Sequence, residues 1–286
     1  MELFIADAFT DQIFEGNQAG VVLLDEDESF PNATIMQKIA AELKHSETAF
    51  VKATGQNIFI IKYYTPNGEV PLCGHATISA FAVLRNEKNL GTGDYIASTL
   101  AGNLKVTVEP DFIWLEMAQG RVLSQVTFKE STEVYQAYGL QAKDRPGSMY
   151  PCIVNTGLSD ILLPVNSKET LDEAVQNRSE VISLSKRHEV VGVHMFFYAS
   201  SPQATAYCRN FAPLYGIDEE IATGTSNGAL TYYLYSLGLI EESQENIFIQ
   251  GPDTKTPSVI KSKIDGNKAI YIGGNAVVSI KGCIKL

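Results

Sequence analysis

Basic residues are scarce in this chain. Its 286 residues include 22 Lys and Arg against 33 Asp and Glu, a formal net charge of −11. The isoelectric point is about 4.9. With no basic stripe to neutralise phosphates, the expectation is no nucleic-acid partner, and the same charge disfavours an anionic membrane surface. Long hydrophobic runs are also lacking. No stretch reaches the ~18 apolar residues needed to cross a bilayer. The segment Met1 to Asp7 carries acid where a secretory leader needs base, and its apolar run is too short. The expectation is a soluble, cytoplasmic protein with no membrane partner. Cysteine is limited to Cys73, Cys152, Cys208 and Cys283, with no C-x-x-C pair. That excludes a disulfide framework or structural zinc site as the organising device. Cys152, Cys208 and Cys283 lie in apolar, strand-like runs and read as small core residues. No H-E-x-x-H spacing, P-loop ending or G-x-G-x-x-G fingerprint occurs, so neither a metal nor a nucleotide is expected.

What is present points to a packed globular protein. Hydrophobic residues make up 45% and charged residues 19%, outside the range of disorder. The length suits two domains. One stretch organises the rest: Thr65-Pro66-Asn67-Gly68-Glu69-Val70-Pro71-Leu72-Cys73-Gly74-His75-Ala76-Thr77. It reads as a strand end, a Pro/Gly turn and a helix start. A helix start presents unpaired N–H groups and partial positive charge, a natural seat for a carboxylate. Far downstream, Glu219-Glu220-Ile221-Ala222-Thr223-Gly224-Thr225-Ser226 repeats the grammar ahead of an apolar run. The echo predicts two half-sites facing one cleft.

Along the chain, Leu3 to Phe9 reads as a strand, Phe14 to Gly20 as a Gly/Asn turn, and Val21 to Leu24 as a buried strand. Asn32 or Thr34 caps a helix from about Ile35 to Leu43 whose apolar residues share one face. Asn57 to Thr65 is a strand, and Ala76 to Arg85 a buried helix. Leu100 to Val108 belongs to a hairpin continued by Phe112 to Met117. Ala118 to Arg121 reads as a crossing into a second domain. There, a short helix from about Thr132 ends at Gly139. Cys152 to Val165 is strand-like with a turn at 155–157, and Ser167 caps one or two helices to His188. Val191 to Ala199 and Thr205 to Phe211 are β-rich. Thr225 to Leu237 is an apolar helix ended by Gly238. Short strands broken by Gly-Pro, Asp-Gly and Gly-Gly follow from about Ile247.

Among the residues able to do chemistry, Glu47 stands at an element boundary before Thr48-Ala49-Phe50-Val51. A carboxylate held against apolar groups suits a general acid or base, although a surface Glu at a strand start is the commoner case. His75, just past Gly74, is placed as a proton carrier or as a capping histidine. His45, His188 and His194 lack such a setting. Cys73 reads either as an acid/base thiol at a helix start or as a small buried residue. A two-thiol racemase would need a second Cys in the downstream motif, where Thr223 stands. Glu220 can supply a second carboxylate, whereas Glu219 reads as an ordinary acid before a helix.

Taken together, Asp7-Ala8-Phe9, Gly16-Asn17-Gln18-Ala19, Ser46-Glu47-Thr48, Thr65-Pro66, Cys73-Gly74-His75-Ala76-Thr77 and Ala222-Thr223-Gly224-Thr225 resemble the phenazine-biosynthesis isomerase, or PhzF-like, family. The order and spacing run the length of the chain. The resemblance implies the diaminopimelate-epimerase-like fold: α+β, with two similar domains, each a mostly antiparallel sheet wrapped around a central helix. The domains would be residues 1–118, completed by about 266–286, and 119–265. The family also implies a homodimer and no cofactor. By position, Glu47 matches the catalytic acid/base, with His75 and Glu220 beside it as catalytic candidates. Asn17, Ser46, Cys73, Gly74, Gly224 and Thr225 match substrate-binding positions. Glu220 stands where the best-known members have Asp, Ile221 where they commonly have Pro, and Thr225 where they often have Ser. The implied activity is a cofactor-independent isomerisation of a small carboxylated metabolite by proton transfer, in a biosynthetic setting. A racemase or epimerase using Cys73, or a non-catalytic metabolite-binding or scaffold protein, are the other readings.

Overall fold

The structure, a computed structural model, describes residues 1–251 and 257–286. It divides into two units, Met1–Glu116 with Gly273–Leu286, and Met117–Ile272.

In the first unit, β1 (Glu2–Ala8) pairs antiparallel with β2 (Asn17–Leu24). β2 lies parallel to β3 (Glu47–Ala53). A parallel neighbour cannot be reached by a tight turn, so the chain crosses over through a helix. That helix is α1 (Ala33–Leu43), started by Asn32, whose side chain accepts the Ile35 N–H at 3.0 Å. Its Met36 and Ala40 pack on Val22, Phe50 and Tyr64. β4 (Ile58–Thr65) runs antiparallel to β3 and folds back as β5 (Gly68–Val70). α2 (Gly74–Lys88) is the second crossover, leading to β6 (Gly93–Thr99), parallel to β4. β7 (Gly102–Val108) and β8 (Ile113–Glu116) extend the sheet antiparallel. The chain's last strand, Ala276–Cys283, returns to the other side of β1. The sheet wraps α2, which is buried from His75 to Leu84. A helix enclosed on all sides has no use for a polar face.

The second unit repeats this plan. After β9 (Arg121–Gln125) and α3 (Phe128–Gln136), β10 (Cys152–Asn155) pairs antiparallel with β11 (Ser159–Val165). α4 (Lys168–Glu173) and α5 (Arg178–His188) cross to β12 (Gly192–Tyr198), parallel to β11. β13 (Ala206–Ala212) runs antiparallel and folds back as β14 (Ile217–Glu220). The buried helix α6 (Gly224–Ser236) crosses to β15 (Asn246–Gln250), parallel to β13. β16 (Ser258–Ile264), β17 (Ile270–Gly274) and β18 (the Ala276–Cys283 strand) follow. Among the described pairings each unit thus has two parallel pairs beside antiparallel ones, the second parallel pair bridged by the central helix. This is the α+β arrangement of two similar domains. Among the described residues, no helix is long and apolar enough to cross a membrane.

Several expectations need correction. The turn placed over Phe14 to Gly20 ends at Gly16, because Asn17 already pairs with Ala8 in an unbroken seven-pair register. The hairpin partner Gly93–Thr99 escapes the sequence reading, as do β9 and β14. α3 starts at Phe128, not near Thr132. Thr127 and Glu130 form a capping box there, which fixes the start independently of the apolar pattern. Cys283 is exposed rather than in the core, since β18 loses its cover after Ser279. The Gly251-Pro252 break lies in part outside the described residues.

A buried polar network ties α6 to its sheet. Ser226 Oγ donates to Asp160 Oδ2 at 2.7 Å and receives Asn210 Nδ2 at 3.0 Å, and Asn210 Nδ2 lies 3.2 Å from His194 Nδ1. All four residues are buried. Among the described residues, Asp160 Oδ1 and His194 Nε2 have no hydrogen-bond partner. Burial pushes the Asp160 carboxyl up to about 6, against the Ser226 and Gly192 hydrogen bonds, which lower it. Burial pulls His194 down to about 3. Gly192 is held close as well, because a Cβ there would lie 2.0 Å from the Phe211 carbonyl oxygen.

Two outcomes follow for stability. Gly192→Ala should lower unfolding free energy by about 1–3 kcal/mol in urea titration, since backbone and not a pliable side chain must yield. Asp160 binds its proton more tightly folded than unfolded, so its contribution weakens as pH rises from its ordinary 3.8 through about 6. Asp160→Asn should therefore gain on the parent by about 2 kcal/mol between pH 4 and pH 7. Urea titrations of both proteins at the two pH values measure this, and His194, present in both, cancels. An unchanged difference would contradict it.

Candidate active site

The first-unit residues singled out by sequence meet at the start of α2. His75 is the hub. Its Nε2 lies 3.3 Å from Glu47 Oε2 and 3.4 Å from Ser46 Oγ. Its Nδ1 lies 3.3 Å from Asn17 Nδ2 and 3.4 Å from Cys73 Sγ. With the Asn17 amide donating to Nδ1, the neutral ring carries its proton on Nε2, facing the Glu47 carboxylate. The pair is shielded, with side-chain exposures of 8% for His75 and 17% for Glu47. Register explains the meeting. Asn17 opens β2, Ala19 pairs with Glu47 at the opening of β3, and Cys73, Gly74 and His75 open the helix buried against both strands.

Two residues around this cluster drew no attention as chemical groups. Asp7 is fully buried near the end of β1 and accepts the Phe14 N–H at 2.7 Å. Its signal was an acid inside an apolar strand. Burial holds neighbouring His45 below the ordinary histidine range, while Asp7 raises it and His75 lowers it. Tyr63 Oη lies 2.6 Å from Thr77 Oγ1, which donates to the Cys73 carbonyl at 2.6 Å. That chain fixes the first turn of α2 to β4, but in sequence Tyr63 is indistinguishable from a core aromatic.

The second-unit residues meet at the start of α6. Gly224 and Thr225 are buried in its first turn, and the Thr225 carbonyl accepts Thr156 Oγ1 at 3.0 Å. Gln250 Nε2 donates to the Glu220 carbonyl and to Thr223 Oγ1, each at 3.0 Å, and Asn227 Nδ2 donates to the Thr223 carbonyl at 2.9 Å. Glu220 closes β14, two residues before Ala222. Glu219 is instead held by both arms of Arg209, at 2.8 and 2.9 Å. A cavity of about 370 Å³ elsewhere in this unit, lined by Tyr135, Arg145 and Tyr150 among others, contains none of these residues.

Capping sets α2 and α6 apart. α1, α3, α4 and α5 each begin with a side chain that accepts a backbone N–H, from Asn32, Thr127, Ser167 and Asn177. α2 and α6 begin at extended Cys73 and Thr223 with no side-chain cap. Their first N–H groups keep donor capacity for an anion. Beside α2 that capacity adjoins a carboxylate–imidazole pair able to take and return a proton.

Comparison with known proteins bears on the family and the fold. A family model described as phenazine biosynthesis-like protein matches residues 6–282. An uncharacterized isomerase of Clostridium acetobutylicum is 32% identical, with 98% of this chain and 96% of the relative covered. The crystal structure of a Bacillus anthracis phenazine biosynthesis protein of the PhzF family superposes with a TM-score of 0.87 at 24% identity, over 100% of this chain and 99% of that one. A hydroxyproline epimerase from Agrobacterium vitis, crystallised with trans-4-hydroxy-L-proline, shares the fold at a TM-score of 0.65 and 12% identity, over 99% and 90% of the chains. The match to the family model over almost the whole chain, with a relative 32% identical along nearly its full length, makes this protein a member of the phenazine biosynthesis-like family.

Proposed function

We propose that this family member is an isomerase that moves a proton between two carbons of a small carboxylated metabolite, without a cofactor, and that Glu47 carries the proton. The contact between Glu47 Oε2 and His75 Nε2, next to the uncapped start of α2, is the observation that supports it most. The Glu47 carboxylate takes a proton from a substrate carbon. The electron pair left behind shifts a neighbouring double bond, and the protonated carboxyl returns the proton to the carbon that becomes electron-rich. His75 holds the carboxylate in place through its Nε2–H and spreads its charge. The backbone N–H groups at Gly74 and His75 face negative charge as it develops, where preorganised dipoles count most. Asn17 and Ser46 orient His75, and Cys73 packs against its ring. In the second unit, Gly224 and Thr225 present the same kind of donors to substrate carboxylate, with Glu220 as a further acid/base candidate. A homodimeric assembly, a cytoplasmic setting and domain limits near residues 118 and 266 belong to the same proposal.

One observation favours a second reading. Cys73 Sγ lies 3.4 Å from His75 Nδ1, a distance at which a thiol can pass a proton. A Cys73-based epimerisation would use that pair, although the matching position on α6 is Thr223, whose hydroxyl is far too weak an acid to partner it.

Glu47→Gln keeps the shape of the side chain and should reduce deuterium uptake from solvent into small unsaturated and amino-acid carboxylates by roughly 10²–10⁴-fold. Cys73→Ser should cost much less. Mass spectrometry of the recovered carboxylates decides between them. Exchange that survives in Glu47→Gln and vanishes in Cys73→Ser would hand the reaction to the thiol. Ligand charge gives a separate check. Small carboxylates should raise the melting temperature of the protein, and the matching primary amides should not. Equal stabilisation by both would remove the basis for a carboxylate substrate.

A further inference from the structure

The α2 start brings together three side chains of three donor types, Cys73 and His75 from its own first residues and Glu47 from the start of β3. Glu47 offers an oxygen, Cys73 a sulfur and His75 a nitrogen, and one such atom from each lies within 4.8 Å of the other two. His75 Nε2 is 3.3 Å from Glu47 Oε2 and 3.8 Å from Cys73 Sγ. Zinc holds thiolate sulfur at about 2.3 Å and imidazole nitrogen or carboxylate oxygen at about 2.0–2.2 Å. Around one tetrahedral ion such ligand atoms stand about 3.3–3.7 Å from each other. The two separations from His75 are therefore close to the required spacing already, and the third, within 4.8 Å, closes by side-chain rotation of Glu47 or Cys73.

We propose that Glu47, Cys73 and His75 form a three-donor site for one thiophilic divalent cation, of the zinc and cadmium class, and that an ion held there stops proton transfer. Charge supports it. A thiolate and a carboxylate together balance the two positive charges of the ion, so a shielded site takes it up without net charge. Sulfur and imidazole select against calcium and magnesium, which take oxygen ligands. Three protein ligands leave a fourth position open to water.

The step balances in protons. Cys73 Sγ–H gives up its proton to solvent as the sulfur–metal bond forms. His75 moves its ring proton from Nε2 to Nδ1, freeing the Nε2 lone pair. The Asn17 amide, turned over, presents its oxygen to Nδ1–H, the outer partner that metal-bound histidines use. No electron changes hands. The lone pairs committed to the ion are those that Glu47 and His75 would use on a substrate. Inhibition rests on the isomerase reading, whereas binding does not.

The test uses chelator-treated full-length protein carrying Cys283→Ser, because Cys283 is exposed and would take cadmium itself. Cys152 and Cys208 are buried, and burial pushes both thiols up, to about 11 for Cys152. Cadmium chloride is titrated in while the thiolate-to-cadmium ultraviolet band and proton release to an indicator dye are followed. The expected result is saturation at one equivalent with a band from a single thiolate. Cys73→Ala and Cys73→Ser should both abolish the band. Glu47→Gln and His75→Gln should keep the band but weaken binding by about tenfold or more. No saturable band, or a band that persists in both Cys73 variants, overturns the proposal. The two readings also fail separately. Solvent exchange that survives Glu47→Gln would remove the isomerase mechanism and leave cadmium binding intact, whereas an absent band would do the reverse.

Discussion

A backbone N–H that ends up inside a protein must give its hydrogen bond to something. At most helix starts of this chain a side chain settles the matter locally. At α2 and α6 the residue in the capping position is Cys73 or Thr223, and its side chain makes no cap bond. These are also the two helices that the sheets enclose. Enclosure removes bulk water from their flanks, and the missing cap leaves their first turns as donors without an internal claimant of that kind. The surrounding hydrogen bonds, such as Tyr63 to Thr77 and Ser226 to Asp160, hold those turns from behind. Each first turn is thereby held in place while its N–H groups stay clear of a side-chain cap.

The carboxylate and imidazole depend on the same arrangement. Each unit uses a parallel strand pair with a crossover, and a crossover places the next strand's first residue level with a chosen residue of its partner. In the first unit that pairing sets Glu47 against Ala19, two residues from Asn17. The second unit has the parallel pairing Asp160 with Gly192 at the equivalent strand starts. There the acid stands on the first strand of the pair, with Gly192 in the place of Glu47, and it is fully buried and committed to Ser226. One topology thus leaves a carboxylate beside a histidine in one unit and a structural carboxylate beneath the helix in the other.

Legibility in the sequence divided along these lines. Features fixed within a few residues could be read directly. Asn32 and Ser167 as caps, Gly139 and Gly238 as left-handed stops, and the apolar runs of α2 and α6 are of this kind. The Thr127 to Glu130 capping box was equally local, but the weak apolar pattern around it drew the start of α3 too late. β9 and β14 had no readable signal. β9 is exposed throughout, and Ile217-Asp218-Glu219-Glu220 carries three acids in four residues. Both exist through their neighbours' hydrogen bonds. In the site, Cys73, Gly74 and His75 share one motif, and their proximity needs no fold. That His75 touches Asn17, Ser46 and Glu47 is a consequence of strand register, which local pattern does not encode. The Ser226, Asp160, Asn210 and His194 network is assembled from four segments, and only a lone acid inside an apolar run hinted at it.

The return of β18 to β1 has a consequence for how the protein is made. β1 leaves the ribosome before the whole of the second unit, and one of its two edges is completed only by Ala276–Cys283, which follows that unit. For as long as the second unit is being made, that edge has no native partner. Unpaired strand edges are templates for other chains. The second unit, continuous from Met117 to Ile272, faces no such wait. The half of the molecule that holds the Glu47–His75 pair is therefore the half whose sheet is finished last, and its exposure to misassembly grows with every pause of the ribosome before the final strand.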